Sequence, residues 1–546
     1  MSWSNAFVQQ LDSHAYKPIF QLRILNLGNF LGMDYSVYST GMAPLKISRD
    51  GVSIGGTRVI PGRWSVSFGG FQVNLAGNIR EFMMHTRKGA FAELLCSING
   101  TAFERVAIGQ LQSITKIGLS EKWIVKFRDL LSAFQNTCNT EVGSAPSPSA
   151  SNPPQQPLFW NIGQKTYLTS AYGISDNTLS VNDNSAFEKE TGKNGILRLE
   201  QNSAPDNAYY MEFSSLDYAA NTFVTVPAGG AAIPSAYPSK KIRTYLPTSA
   251  GGSNAYTCVR LDGHPSDIIG KLITSTGTGS NGSLDTLPAS WGFGGLFHHS
   301  VFDKADADNQ KQIIRGQSSS SYSWRLIYDQ PAWDGIREII QHASQVGQFP
   351  VMRQGSISWR GCCDPDGQGM AYSPVVVDKI YDYDIMEIRT HEIYASQQSS
   401  TYVISTMLYP TPGGGIPVPE PYTERSKVGS FSGRTMSLPA QKEIYRTGVF
   451  IYSPDETRSD LADGDLDRMK NWDHWTWEKI TLVLSMRKSH LVAGDIVEIT
   501  SRYLYGLQEG YGQTYYNKRA MVIGSSFDLS QRRCIIEFAI ISGRNK

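Results

Sequence analysis

The sequence has almost no excess charge of either sign. It carries 50 Lys and Arg against 49 Asp and Glu in 546 residues, for a formal net charge of +1. Proteins that bind nucleic acids or anionic membranes usually show a basic excess or patch, so this balance argues against both classes. Charged residues amount to only 18%, below the usual ~25%. Aromatic residues reach 11%, so there is ample material for several packed cores.

Long apolar runs and paired cysteines are also missing. No stretch approaches ~18 consecutive apolar residues, so no membrane-spanning helix is expected. The first residues, MSWSNAFVQQLDSHAYKP, lack the basic and then apolar segments of a signal peptide. The cysteines are scattered, without any C-x-x-C pair, which predicts neither a disulfide framework nor a zinc site and fits synthesis in a reducing compartment. They are Cys96, Cys138, Cys258, Cys362, Cys363 and Cys534.

Familiar catalytic motifs are absent as well. There is no H-E-x-x-H, no G-x-S-x-G and no phosphate-binding G-x-x-x-x-G-K-[ST]. GTGSNG at 277–282 matches G-x-G-x-x-G, but a predicted helix precedes it and no helix follows it, so a flexible glycine loop is favoured. The adjacent Cys362 and Cys363 favour a loop after a strand over metal or redox chemistry. We therefore predict no catalytic, cofactor-binding or metal-binding residue and no cofactor.

Two clusters keep an enzymatic alternative open, a glycan or peptidoglycan hydrolase. Tryptophans at 472, 475 and 477 could stack on sugar rings, although anchoring to a core or interface is favoured. The stretch DYDIMEIRTHE could bind a divalent ion through carboxylates, although a strand with an exposed polar side gives the same pattern. Its candidate residues are Asp382, Asp384, Glu387, His391 and Glu392.

The stretch GRWSVSFGGFQVNL at 62–75 changes phase at Gly69-Gly70. Large apolar residues occupy even positions before the glycines and odd positions after them: Trp64, Val66 and Phe68, then Phe71, Val73 and Leu75. A hairpin closed at the two glycines would place all six on one face, with Phe68 opposite Phe71. A single bulged strand is the alternative. Either arrangement is a half-buried antiparallel sheet.

Short alternating runs and a few helices divide the chain. We predict helices at 79–89, at 126–134, at 264–275 and at 330–348, the last beginning at Pro331, and a tryptophan-rich helix around 466–479. Turns are expected at Asn99-Gly100 and Gln354-Gly355. The resulting divisions are an all-β segment 1–140, a Ser/Pro-rich linker 141–157, a small β module 158–245, an α+β middle region 246–365 and a second all-β segment 366–546.

Several blocks in a fixed order resemble tail proteins of tailed bacteriophages. They are GRWSVSFGGFQVNLAGNIREF, FERVAIGQLQSI and KFRDLLSAFQ near the start, GHPSDIIGKLITSTGTGSNGSLDTLPASWGFG and WDGIREIIQHASQVGQFPVMRQGSISWR in the middle, and VAGDIVEITS with RAMVIGSSFDLSQRRCIIEFAI at the end. The likeness covers most of the chain, and the order of the blocks carries it. The family it indicates is the tail-tip or baseplate hub.

This resemblance implies a mainly β, multidomain fold with some α structure. The two terminal segments would be tail-tube-like β-barrel or sandwich domains, and three copies would present six such domains to a sixfold tail tube. The implied role is a non-enzymatic virion component, assembled in the host cytoplasm as a homotrimer. Its expected partners are the tail tube or distal tail protein, the tape measure protein and central fibre or tip proteins, with DNA passing through unspecifically. A peripheral receptor-binding adhesin is a further alternative.

Overall fold

The protein is described by a computed structural model over residues 3–25, 38–39, 46–47, 51–60, 65–76, 90–136, 165–170, 172–173, 176–201, 204–226, 245–246, 253–280, 282–288, 291–292, 297–315, 325–328, 335–345, 347–367, 374–394, 401–408, 423–428, 442–452, 472, 476–505 and 514–542. Within these ranges the chain is mainly β, with a few helices, as predicted. The helices are α1 (Asn5–Gln10), α2 (Leu130–Asn136), α3 (Pro265–Thr274), α4 (Lys304–Arg315) and α5 (Ile336–Gln345). None of them is long and apolar enough to cross a membrane.

The first β segment, here called the N lobe, is an antiparallel sheet. It contains β1 (Pro18–Leu25), β2 (Tyr38–Ser39), β3 (Lys46–Ile47), β4 (Ser53–Ile60), β5 (Ser65–Phe68), β6 (Gly70–Ala76), β7 (Phe91–Ile98), β8 (Glu104–Lys116) and β9 (Lys122–Asp129). The predicted turn between β7 and β8 is confirmed, because Asn99 and Gly100 both have positive φ, at 53° and 83°.

A second sheet, here called the inserted sheet, is built from the middle of the chain and a late segment. Its strands are β10 (Lys165–Tyr167), β12 (Thr178–Ser180), β13 (Gly195–Gln201), β14 (Ala204–Asp217), β15 (Thr222–Val226), β17 (Ser253–Asp262), β18 (Arg325–Tyr328), β23 (Thr401–Leu408), β24 (Thr423–Val428) and β25 (Lys442–Tyr452). Separate two-stranded pairs are β11 (Tyr172–Gly173) with β16 (Tyr245–Leu246) and β19 (Gln348–Arg353) with β20 (Ser356–Gly361).

The last β segment, here called the C lobe, contains β21 (Val376–Tyr381), β22 (Ile385–Tyr394), β26 (Thr476–Ser485), β27 (Ile496–Tyr505), β28 (Thr514–Asp528) and β29 (Arg533–Ser542). The division of the chain into domains stays a prediction. Strand pairing nevertheless crosses its boundaries, since β17, β18 and β23 to β25 join one sheet with β13.

The predicted hairpin at Gly69-Gly70 is wrong. The alternative of a single bulged strand is right about the single strand and wrong about the bulge, because the pairing at the glycines has no register shift. Strand β4 pairs with β5 and β6 in one unbroken register, from Ile60 opposite Ser65 to Ser53 opposite Gln72. Neither glycine has positive φ. Instead, a Cβ at Gly70 would lie 2.2 Å from the Phe127 carbonyl oxygen, so the glycines permit close backbone approach.

The phase change means that this strand passes between two cores. Val66 and Phe68 pack against a central core, which also includes buried residues of α2, α3, α5, β19 and β20. Phe71, Val73 and Leu75 lie in the N-lobe core, which is a separate cluster. The C lobe has its own cluster, in which Cys534, Ile536, Phe538 and Ile540 share a face as the sequence predicts.

Some of the helix predictions are confirmed and others are wrong. Helix α3 is confirmed, with Pro265 in its first turn and Ile268, Ile269 and Leu272 buried. The helix predicted over 126–134 is partly wrong: 126–129 belong to β9, because Phe127 pairs with Phe71 in the sheet, and α2 begins at Leu130.

The remaining predicted helices are covered only in part. Helix α5 buries its predicted apolar side, and Gly347 follows with φ at 67°, but Pro331 and Trp333 lie outside the described residues. The segments 79–89 and 141–157 also lie outside them. The tryptophan-rich helix is wrong at its end, since β26 begins at Thr476 and pairs with β22 and β29.

Candidate functional site: an assembly interface

The two lobes form one continuous sheet, joined where β4 of the N lobe pairs with β28 of the C lobe. Ile54 lies opposite Phe527, and Ser53 lies opposite Asp528, in an antiparallel register. This pairing is here called the seam. Its backbones approach closely, because a Cβ at Gly56 would lie 2.7 Å from the Ser525 carbonyl oxygen. The seam is thus a main-chain contact that joins the two lobes.

The turn between β28 and β29 closes the end of the seam. The Leu529 amide donates to the Val52 carbonyl at 3.0 Å, and the Leu529 side chain is fully buried in the N-lobe core. The Ser530 hydroxyl oxygen accepts from the amides of Gly51 and Val52 at 2.9 and 3.0 Å. The Tyr16 hydroxyl donates to the Leu529 carbonyl at 3.0 Å. The C lobe therefore inserts its last turn into the N lobe.

The lobes repeat the same strand order. The N-lobe path is β1-β7-β8-β9-β6-β4, and the C-lobe path is β21-β27-β28-β29-β26-β22. If the six strands of each path are numbered along the chain, both read 1-4-5-6-3-2. The one difference in direction is the first pair, since β1 is antiparallel to β7 whereas β21 is parallel to β27. The chain therefore carries two copies of one strand order, which differ in the direction of the first strand.

The repeat extends to individual residues. Gln110 pairs on both sides, with Phe91 and Arg128, and Met521 does the same in the C lobe, with Ile496 and Ala539. The register of β8 with β9 shifts between Leu111 and Ser113, and that of β28 with β29 shifts between Val522 and Gly524. Residues of the β8–β9 hairpin thus correspond to residues of the β28–β29 hairpin by a constant offset.

The passage between cores is repeated too. In β26, Trp477 lies in the central core, whereas Ile480, Leu482 and Leu484 lie in the C-lobe core. This matches Phe68 followed by Phe71, Val73 and Leu75 in the N lobe. The tryptophan cluster is explained by this packing, because Trp472 and Trp477 are each 1% exposed with ring centroids 4.0 Å apart. Trp475 lies outside the described residues.

An ion network ties the middle region to the C lobe. The buried Arg360 guanidinium donates to Asp495 and to Asp306, both at 2.8 Å. Burial by itself would lower the pKa of Arg360, but these two carboxylates raise it above its usual range. Burial likewise opposes charge on Asp306, and the guanidinium groups of Arg360 and Arg353 lower its pKa nonetheless. Both charges are therefore held in the core by their partners.

The carboxylates considered for an enzymatic site are mostly engaged in ion pairs. Asp384 is fully buried and accepts from the Arg487 guanidinium, and Asp382 faces Arg502 at 3.1 Å. His391 contacts Glu478 at 2.7 Å. Glu387 lies 3.6 Å from Arg389.

The geometry does not bring the two candidate clusters into one site. Across the described ranges, no group of three or more His, Cys, Asp or Glu is placed to hold a metal ion. Trp472 and Trp477 are buried, so they present no ring face to a sugar, while Glu387 and Glu392 project from the exposed edge strand β22. Cys362 and Cys363 lie just after β20, and both side chains are buried.

The described residues 277–280 of the glycine loop are hydrogen-bonded to a single side chain. Their polar groups converge on the buried carboxylate of Asp285, which accepts from the Gly277 and Ser280 amides at 3.1 and 3.2 Å and from the Thr278 hydroxyl at 2.7 Å. Burial opposes the charge, but these hydrogen bonds hold the pKa of Asp285 far below its usual range. An internal anion thus organises the loop.

Comparison with known proteins finds no matching family model and no matching curated protein. Among solved structures, the chain is similar to the 43 kDa tail protein of prophage MuSo2 from Shewanella oneidensis, with 10% identity, 96% of this chain and 98% of that chain covered, and a TM-score of 0.33. It is also similar to the tail protein from Neisseria meningitidis MC58, with 10% identity, coverage of 96% and 97%, and a TM-score of 0.31.

A third similar structure is the prophage tail protein gp18 from Listeria monocytogenes EGD-e, with 6% identity, coverage of 95% and 94%, and a TM-score of 0.33. The match runs along almost the whole length of each of these three chains.

Proposed function

We propose that this chain is a structural hub protein of a bacteriophage tail tip. It would assemble as a homotrimer, connect the tail tube to central tip or fibre proteins, and surround the channel for the tape measure protein and DNA. The observation that carries this proposal is the repeated strand order of the N and C lobes within one continuous sheet. The order of the sequence blocks that resemble tail proteins supports the same role.

The repeat matters because of symmetry. A tube with six subunits offers six equivalent edges, and a trimer of ordinary single domains could meet only three of them. Two lobes with one strand order in each chain would supply six similar positions from three copies. The seam also fixes the two lobes relative to each other through main-chain pairing and a buried turn. A symmetric ring needs such repeated contacts, and it needs no catalytic pocket.

Charge and packing are compatible with this role. A net charge of +1 allows three copies to approach a shared axis without strong mutual repulsion. The near balance also fits passage of DNA without sequence-specific binding. The loops and the inserted sheet would then contact the distal tail protein and the fibre proteins, and receptor binding would open the axis by moving them.

Cryo-electron microscopy of intact particles tests the proposal. The expected result is a density at the tail tip that contains three copies of the chain, with six lobes facing the tube. The same reconstruction after DNA ejection should show a wider axial channel. A single copy at the tip periphery, or a location away from the tail, would overturn the hub assignment. A zymogram of the purified protein with a cleared band would instead support a hydrolase.

A further inference from the structure

We infer that the turn between β8 and β9 of one copy docks on strand β22 of a second copy, which repeats between chains the seam that β28 and β4 form within a chain. This inference rests on the proposed function, since it names the contact that joins neighbouring hub subunits. Numbered along the chain, β8 and β28 are the fifth strands of their lobes, and β4 and β22 are the second strands. The occupant of the β22 edge is therefore another copy of this protein.

The donating side is set by the unpaired end of a hairpin. In the C lobe, the first half of β28 pairs with β27. The second half of β28 extends beyond β27 and pairs with β4 along the same edge. In the N lobe, β8 pairs with β7 up to Gln110, and Ser113–Lys116 have only β9 as a partner within the described ranges. The end of β8 thus has a free edge where β28 has β4.

Strand β22, on which the turn would dock, also has an edge without a partner strand in the described part of the chain. Strand β4 lies between β28 on one side and the β5–β6 strand on the other. Its counterpart β22 pairs with β26 and is the outermost strand of the sheet in the described part of the chain. An open edge presents unpaired amides and carbonyls, which makes it a template for an added strand.

Apolar side chains are buried at the seam and exposed on the corresponding unpaired strands. Leu529, in the β28–β29 turn, is fully buried, whereas Leu119, in the β8–β9 turn, is fully exposed. On the accepting side, Val52 of the seam is fully buried, but its counterpart Ile388 is 38% exposed and Met386 is 62% exposed. Gly118 stands at the place of Leu529 in the repeat, and docking would bring the adjacent Leu119 towards these two side chains.

The repeat also fixes the register. In the seam Ser526 and Phe527 lie opposite Gly55 and Ile54. The β8–β9 hairpin matches the β28–β29 hairpin with Thr115 at the place of Ser526. Strands β6 and β26 correspond through their pairing with β9 and β29. Strands β4 and β22 then correspond through their pairing with β6 and β26, and this places Glu392 where the N lobe has Gly55.

Two facing pairs follow from this register, Thr115 with Glu392 and Lys116 with His391. Facing residues share one face of the sheet, so Thr115 and Glu392 point to one face and Lys116 and His391 point to the other.

Cysteine cross-linking of the purified full-length protein tests this pairing. Thr115→Cys combined with Glu392→Cys places two thiols on facing residues, about 4.5–5.5 Å apart between Cα atoms, which suits a disulfide. The matched control, Thr115→Cys with Glu387→Cys, shifts one thiol by five residues, about 16 Å along the strand. Wild type controls for native thiols, of which Cys96 and Cys534 are unreactive because burial raises their pKa to about 12. Oxidised samples are analysed by denaturing gels and by mass photometry.

We expect dimer and trimer bands for the facing pair and monomer bands for both controls. Oligomers that form without the cross-link overturn this pairing but leave the hub intact. A cross-link within oligomers other than trimers supports the pairing and contradicts the homotrimer. Absence of both the cross-link and self-association overturns the pairing, and the position in the particle then tests the hub separately.

Discussion

Arg360 of strand β20 and Asp495 of the C lobe form an ion pair sealed from solvent, with 2.8 Å between Nε and Oδ1 and both side chains 1% exposed. Asp495 also accepts from the Val492 amide at 3.0 Å, so it shapes the turn that leads into β27. One buried contact therefore fixes the middle region against the lobe that carries the seam.

Removal of one partner of this pair should be costly. Asp495→Ala leaves the buried guanidinium with a single carboxylate, and we expect a loss of about 3–5 kcal/mol in the free energy of unfolding of the C lobe. The control is Lys379→Ala, which removes the exposed partner of Glu498, 2.9 Å away, and should cost at most about 1 kcal/mol. Urea denaturation followed by tryptophan fluorescence measures both. Equal losses would contradict the role given to burial.

Gly70 should not tolerate a side chain even though its backbone is ordinary. Gly70→Ala directs a methyl group at the Phe127 carbonyl, 2.2 Å away, and forces β6 and β9 apart. We expect a destabilisation of about 1–3 kcal/mol. Ser67→Ala, an exposed position on the same continuous strand, should change stability by less than about 0.5 kcal/mol. If the two variants melt at the same temperature, the close approach of the strands is wrong.

Asp129 should make the N lobe more stable at mildly acidic pH. Burial raises the pKa of its carboxyl to about 7, against 3.8 for the ordinary group, although the Leu131 amide donates to it at 2.8 Å. The folded state therefore binds a proton that the unfolded chain has lost, and its stability falls as pH rises from 4 to 7. The difference approaches about 4 kcal/mol.

The matched variant for this effect is Asp129→Asn, which keeps an N-terminal cap on α2 but does not titrate. Denaturation midpoints from pH 4 to pH 8 should decline in wild type relative to this variant. Parallel profiles for the two proteins would show that Asp129 does not bind the proton. All other titrating groups are common to both proteins and cancel in the comparison.

Asp285 should control the order of the glycine loop. Asp285→Ala removes the acceptor shared by Thr278, Gly277 and Ser280, and we expect amide hydrogen exchange in 276–280 to accelerate by at least about tenfold. Ser280→Ala, which removes one hydroxyl, should have a much smaller effect. Because the pKa of Asp285 is lowered, wild-type protection should persist at pH 5 and be lost only as pH falls through that low folded value. Exchange rates equal in all three proteins would contradict this account.

Much of the secondary structure follows from local pattern. The alternation in β13, β15 and β29 and the apolar faces of α3 and α5 are visible in the sequence, because each element must bury one side. The turns at Asn99-Gly100 and Gln354-Gly355 are visible for the same kind of reason, since these residues accept positive φ. The candidate interface was not predicted, because strand order and register depend on contacts between residues far apart in the chain.

The sequence by itself determined that this protein is mainly β, that it lacks an excess of charge, and that its apolar pattern at 64–75 changes phase at two glycines. Tertiary structure decided what that change means. A Gly-Gly pair satisfies a tight turn and a close approach of neighbouring strands equally well, and only the position of Phe127 against Gly70 selects the second. It also decided that Phe68 and Trp477 enter one shared core while Phe71 and Ile480 enter two separate ones, because a core is defined by what the other face of the sheet meets.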